Sequence, residues 1–191
     1  MTSDLEAVRA DIAAHLTQGA SSRHSAFHSP VVATADADLR VMVLRGFDAG
    51  SWTLRFHTDL RSPKVSVIGE GAPVGVLGYD RKAKLQLRCR GTGRIEHDTP
   101  AVDAAWGQNT AFARRCYLGE GPGIASDIPT SGLPDWAEGR QPSEVEVAAG
   151  REHFAILLVA LAEIDWFHLA HTGHRRAVWD VATDTGRWIT P

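Results

Sequence analysis

The stretch "AKLQLRCRGTGRIEH", residues 83–97, decides how this chain is read. Leu85, Leu87 and Cys89 alternate with Gln86, Arg88 and Arg90. Successive strand residues point to opposite faces, so this period of two predicts a strand with one face in a core and the other toward solvent or a ligand. Its neighbours on both sides continue the pattern. Upstream, "SPVVATADA" (29–37) and "LRVMVLRGFD" (39–48) read as two strands joined by the polar turn "DAD", followed by strands in "SWTLRFHT" (51–58) and "APVGVLGYD" (72–80). Downstream, "AILLVALAEIDWFHLA" (155–170), "HRRAVWDVAT" (174–183) and "GRWIT" (186–190) complete the set.

Helices are expected at the periphery. "SDLEAVRADIAAHL" has Ser3 and Glu6 in capping-box spacing and Leu5, Val8, Ile12 and Leu16 on one helical stripe, which predicts a helix over 3–18. "SPKVSVIGEG" (62–71) opens with Ser62 at the cap and Pro63 in the first turn. "TPAVDAAWGQN" (99–109) repeats that device with Thr99 and Pro100, and "SEVEVAAGREHF" (143–154) reads as a further helix. "QGASSRHSAF" (18–27) reads as a loop, and the Gly-, Pro- and Ser-rich 119–141 segment as a long one. Short strands joined by tight turns, with no βαβ rhythm, predict a mainly β fold with peripheral α-helices: a small antiparallel barrel or sandwich. A single domain over 1–191 is expected, its barrel over about 29–191.

Bulk properties exclude several classes. The net charge is -3 at pH 7, with Lys+Arg 20 against Asp+Glu 23, which offers no basic coat for nucleic acid. The two cysteines, Cys89 and Cys116, form no CxxC pair, so neither a metal knuckle nor a disulfide framework is expected. A reducing, cytoplasmic setting fits that usage. Residues 1–16 carry acids through what would be an apolar signal core, and the apolar run "FAILLVALAEIDWF" is broken by Glu163 and Asp165, so neither a secretory signal nor a membrane span is expected. No G-x-G-x-x-G follows a strand. His168, His171 and His174 cluster in sequence, but no carboxylate or cysteine completes a metal-ligand pattern.

The chemistry is concentrated in "RFHTDLRSPK", residues 55–64. Thr58, Arg61, Ser62 and Lys64 gather where a strand ends and a helix starts. Arginine binds phosphate as a fork, lysine as a point charge, and a helix start offers unpaired N–H groups. The segment is either a solvated turn or a seat for an anion. Arg40 and Arg45 lie at the ends of "RVMVLR", an odd number of residues apart, and a regular strand would turn them to opposite faces.

Taken in order, "RVMVLRGFD", "FHTDLRSPK", "LQLRCRGTGRIEH" and "IDWFHLAHTGHRRAVWD" resemble the pyridoxamine 5'-phosphate oxidase-like family of FMN-binding split barrels, from about residue 24 to the C-terminus. The resemblance implies a split β-barrel that dimerises, with one FMN in each of two clefts between subunits. It implies that Arg40, Thr58, Ser62 and Lys64 seat the FMN phosphate, that the backbone around Val43 and Leu44 flanks the ring, and that Arg45 stands near substrate. Gln86, Trp166 and Arg176 match residues that reach the cofactor from the partner chain. On their own, Gln86 also reads as an exposed polar position and Trp166 as core.

There are departures. His57 replaces the usual tyrosine, and Pro63 replaces a basic residue, for which Arg61 is a candidate substitute. Trp106 and His174 stand near family substrate positions, but Thr172 occupies the place of an arginine that grips pyridoxal phosphate. Three functions follow: an FMN-dependent oxidoreductase of other substrate, a true pyridoxamine or pyridoxine phosphate oxidase, or a non-catalytic binder of flavin, heme or deazaflavin.

Overall fold

The computed structural model describes residues 4–191. Its nine strands form one sheet in which every pairing is antiparallel. They are β1 (Val31–Ala33), β2 (Leu39–Val41), β3 (Leu44–Asp48), β4 (Thr53–Asp59), β5 (Ala72–Asp80), β6 (Leu85–Glu96), β7 (Phe154–His168), β8 (Arg175–Asp180) and β9 (Thr185–Ile189). The main path runs β2-β1-β5-β6-β7-β4-β3. Its two end strands, β2 and β3, are separated in the chain by Met42 and Val43 alone. Three peptide steps reach about 10 Å at full extension, so the sheet has to curl until its edges meet. No β2–β3 ladder closes that seam. The result is a split barrel.

The segment expected as one strand over 39–48 is therefore two, broken at Met42–Val43, because the chain crosses the seam there. β7 explains the rest of the topology. One edge pairs with β6 along most of its length. The other edge is shared: Phe154–Ala160 pairs with β4, and Glu163–His168 pairs with β8. A register shift between Arg90 and Gly91 brings β6 so close to β7 that a Cβ on Gly91 would stand 2.2 Å from the Ala160 carbonyl oxygen.

Helix α1 (Asp4–Ser21) buries Val8, Ile12 and Leu16 against the inner face, which carries Leu54, Phe56, Leu85, Leu87, Cys89 and Ile164. It runs past the expected end at residue 18, shortening the loop expected over 18–27, and the Ser3 cap lies outside the described residues. Helix α2 (Pro63–Ile68) forms as read and stops at Gly69, whose φ of 51° suits glycine. Helix α3 (Pro100–Gly107) is capped by Thr99, whose hydroxyl accepts from Val102 N–H. Helices α4 (Ala111–Arg114) and α5 (Glu144–Val147) are single turns; α4 was not signalled. The helix read over 143–154 is α5 followed by a 3-10 turn, Ala148–His153. This region lays a second small core over one end of β7, with Val102, Ala105, Trp106 and Tyr117 against Phe154 and Ile156. Among the described residues, no helix is long and apolar enough to cross a membrane.

Candidate functional site

The seam between β2 and β3 opens into a cleft of about 390 Å³ lined by Arg40, Val41, Met42, Val43, Arg45, His57, Thr58, Asp59, Ser62, Lys64, Asn109, Ala113, Cys116, Tyr117 and Pro122. The strand break gives the cleft its shape. It lets Arg40 and Arg45 border one space, which a regular strand would not.

One end gathers Arg40, Thr58, Ser62 and Lys64, the candidate anion seat. Lys64 Nζ donates to Thr58 Oγ1 at 3.3 Å and makes no ion pair with any described residue. Burial first, then the nearby Arg40 charge, pushes its pKa down. The Ser62 hydroxyl caps nothing in α2. Arg40 is held by Thr34 Oγ1 at 3.0 and 3.1 Å, by the Val32 carbonyl, and by an ion pair with the exposed Asp38. The start of α2 adds little, since Pro63 has no amide donor and Val65 N–H is bonded to Ser62 O at 2.9 Å. Side chains, not the helix start, make up the candidate seat.

Arg61 is not part of it. Its Nε and Nη2 fork onto Asp59 at 3.0 and 2.7 Å, and its Nη1 donates to Gly119 O at 2.8 Å. Its charge is neutralised by a buried carboxylate, so it does not replace the basic residue lost at Pro63.

The other end sets an uncharged histidine beside one arginine. His57 packs edge-on against Phe154 with ring centroids 5.0 Å apart, and its Nδ1 lies 3.5 Å from Asn109 Nδ2. Burial, helped by Arg45 and Arg55, pushes its pKa down to about 4, so the imidazole is uncharged at neutral pH. Its Nε2 is buried with no hydrogen-bond partner. Arg45 is exposed and forms no ion pair with any described residue. Asn109, Cys116 and Tyr117 come from the helical insertion after β6 and had not been singled out; His57 and Arg45 border the same end.

The remaining expected residues lie elsewhere. The Leu44 side chain is in the core at 1% exposure, which leaves its backbone alone to border the seam. Trp106 packs against Tyr117 and Phe154 behind the cleft. His174 is exposed and meets the Phe167 ring edge-on. Among the described residues no group of three or more ligand-type side chains is placed to hold a metal ion, and His168 instead stacks on Trp166.

Gln86, Phe167 and Arg176 face each other across β6, β7 and β8 on the outer side of the sheet. Arg176 stands over the Phe167 ring at 5.7 Å and forks onto Asp165. Trp166 points the opposite way, with its indole N–H donating to Asp11 of α1 at 2.7 Å. The aromatic that shares a face with Gln86 and Arg176 is therefore Phe167. Parity along β7 could have shown this, since Trp166 is even-spaced with the core residue Ile164.

With this geometry in place, the relatives are informative. Residues 8–97 match the family model for the pyridoxamine 5'-phosphate oxidase, FMN-binding domain. Over that segment the chain carries an FMN-binding domain of the pyridoxamine 5'-phosphate oxidase-like family. FMN is the cofactor of that family domain, and the matched segment contains Arg40, Arg45, His57, Thr58, Ser62, Lys64 and Gln86.

Solved structures extend the likeness to the whole fold of this chain. A pyridoxamine 5'-phosphate oxidase-related, FMN binding protein from Nostoc punctiforme PCC 73102 is 23% identical with a TM-score of 0.73, covering 95% of this chain and 96% of its own. PhzG from Burkholderia lata 383, solved with tetrahydrophenazine-1-carboxylic acid, is 14% identical with a TM-score of 0.59, covering 97% and 88%. A Clostridium acetobutylicum protein related to general stress protein 26 is 11% identical with a TM-score of 0.57, covering 94% and 99%. At these identities the likeness is one of fold. Curated proteins give no match.

Proposed function

We propose that this chain is an FMN-dependent oxidoreductase that works as a homodimer. The observation that carries the reading is Lys64: half-buried, beside Arg40, and without an ion pair. Lys64 withdrawn from water beside Arg40, whose one carboxylate partner is the exposed Asp38, calls for a further anion, and Ser62 and Thr58 add hydroxyls at the same point. A phosphate monoester fits that donor set. Arg40, Thr58, Ser62 and Lys64 would hold the FMN phosphate, and the seam around Val43, with Arg45 and His57, would border the ring. Gln86, Phe167 and Arg176, remote from the cleft of their own chain, would be supplied by the partner.

Bound FMN supplies the redox chemistry, by accepting and passing on a hydride equivalent. The chain holds and orients it and excludes water. His57, uncharged at neutral pH, adds polarity to the cleft without a second cation. Arg45, unpaired at the far end, suits one anionic group of a substrate. Pyridoxine phosphate is disfavoured, because Thr172 offers no fork for its phosphate.

Titrating the protein with FMN tests the seat. Lys64→Ala should weaken binding by about 1–3 kcal/mol, the scale of a lost charge-assisted hydrogen bond. Unchanged affinity would remove the assignment. Flavin absorbance that bleaches with NADH or NADPH and returns in air supports the oxidoreductase. A flavin inert to both donors supports a carrier instead. Pyridoxine and pyridoxamine phosphates should turn over negligibly.

A further inference from the structure

Arg61 sits one residue from the anion seat yet gives it nothing, and its hydrogen bonds show where it is committed. The backbone N–H and Nε of Arg61 donate to Asp59 Oδ1 at 2.8 and 3.0 Å, and Nη2 to Oδ2 at 2.7 Å. Asp59 is 8% exposed at the end of β4, so the fork is anchored on a buried group. The remaining nitrogen, Nη1, donates to Gly119 O at 2.8 Å, the entrance to the 119–132 loop.

That loop closes on itself. Glu120 N–H donates to Gly132 O at 2.8 Å, and a Cβ on Gly119 would lie 2.6 Å from the same carbonyl, so the two ends of the loop are in backbone contact. Between them no residue is buried, and Ile124 and Ile128 are 62% and 72% exposed. With no apolar anchor of its own, the loop takes its position from its ends. Its near side folds over the seat. Gly121 lies against the Arg61 side chain, Gly123 against Pro63, and Pro122 lines the cleft. Pro122 and Gly123 also wall an adjoining hollow of about 180 Å³ with Arg40, Ser62 and Lys64.

We infer that Arg61 is a positioning residue that straps the 119–132 loop over the anion seat, so that the loop wall retains whatever anion binds there. The inference rests on the flavin reading for the identity of that anion. The strap itself stands on Asp59, Arg61 and Gly119. A loop that swings away returns Lys64 and Arg40 to bulk water, where high dielectric and salt weaken their hold. The effect belongs to release rather than capture.

Two variants separate the contributions. Arg61→Met removes both side-chain anchors and leaves the buried Asp59 carboxylate without a cation, which endangers the fold. Arg61→Lys keeps a charge against Asp59 but cannot also reach Gly119 O. FMN association and dissociation are followed by stopped-flow fluorescence, and hydrogen exchange over residues 119–133 is followed by mass spectrometry. In Arg61→Lys, FMN should leave about tenfold faster with association within about twofold of wild type, the usual division for a lost contact. Exchange at Glu120 should rise in the same variant. Arg61→Met, if folded, should exceed it in both readouts. Unchanged loop exchange in Arg61→Lys overturns the strap, and so does faster exchange with unchanged FMN release. If wild-type protein binds no FMN, the flavin reading fails separately. Exchange then decides the strap alone: faster in Arg61→Lys upholds it, unchanged overturns it.

Discussion

At the residue scale the cleft is a set of decisions about charge. Lys64 has no ion pair among the described residues and Arg40 pairs only with the exposed Asp38, whereas Arg61 is fully engaged by the buried Asp59 and by Gly119. That Arg61 is withdrawn from the cleft was not legible in "RFHTDLRSPK", because it depends on the direction of one carboxylate, Asp59. His57 is the residue whose state has a measurable consequence. Burial first, then Arg45 and Arg55, holds its pKa at about 4, below the ordinary value of 6.5. A histidine depressed in the folded state leaves the protein at full stability above the unfolded pKa. Stability is then lost as pH falls from about 6.5 toward 4, because the unfolded chain takes up the proton first. Melting temperature of the FMN-free protein should drop across that window, and His57→Gln should flatten the drop attributable to this group. A profile identical in wild type and His57→Gln would show that His57 is not buried neutral.

At the element scale, parity and register divide the site. Residues 85–90 alternate as the sequence pattern required, and they carry Gln86 to the outer face and Leu87 to the core. The same rule applied to β7 separates Trp166 from Phe167, and the β7–β8 register then pairs Phe167 with Arg176. If a partner chain uses this face to complete the flavin site, Phe167→Ala should weaken FMN binding by about 0.5–1.5 kcal/mol or more, the range of an aromatic contact. Trp166→Ala should act mainly on stability, since it removes a buried indole and its bond to Asp11. Thermal melts and FMN titrations of the two variants distinguish these outcomes; a loss of FMN affinity confined to Trp166→Ala would reverse the assignment. The two-strand break at Met42–Val43 was not legible, because "LRVMVLRGFD" is apolar enough to run through as one strand.

At the scale of the whole molecule, the outer face raises the question of assembly. Leu39 and Val41 are 63% and 65% exposed, and Leu77 and Tyr79 are 39% and 48% exposed. Register places them side by side, since Val31 pairs with both Val41 and Leu77, and Tyr79 pairs with Gln86. Apolar strand residues exposed in a row, ending at the Gln86–Phe167–Arg176 group, suit a two-fold interface that completes two sites at once. Sedimentation at low micromolar concentration should give a dimer, more stable with FMN, because a ligand bound by the assembled state shifts the equilibrium toward it. Leu39→Asp with Leu77→Asp should dissociate it and lower FMN affinity together. A monomer with unchanged FMN affinity would refute the shared site.

Local sequence determined the strands, the α2 and α3 starts and the candidate seat, because alternation, capping and turn chemistry are written within a few residues of each feature. Thr58, Ser62 and Lys64 could be grouped for that reason: they lie within one strand end and one helix start. The curl of the sheet, the seam that lets Arg40 and Arg45 border one cleft, and the arrival of Asn109, Tyr117 and Pro122 were decided only by the tertiary structure. Each depends on contacts between segments far apart in the chain. The commitment of Arg61 to Gly119 spans 58 residues and has no local signature.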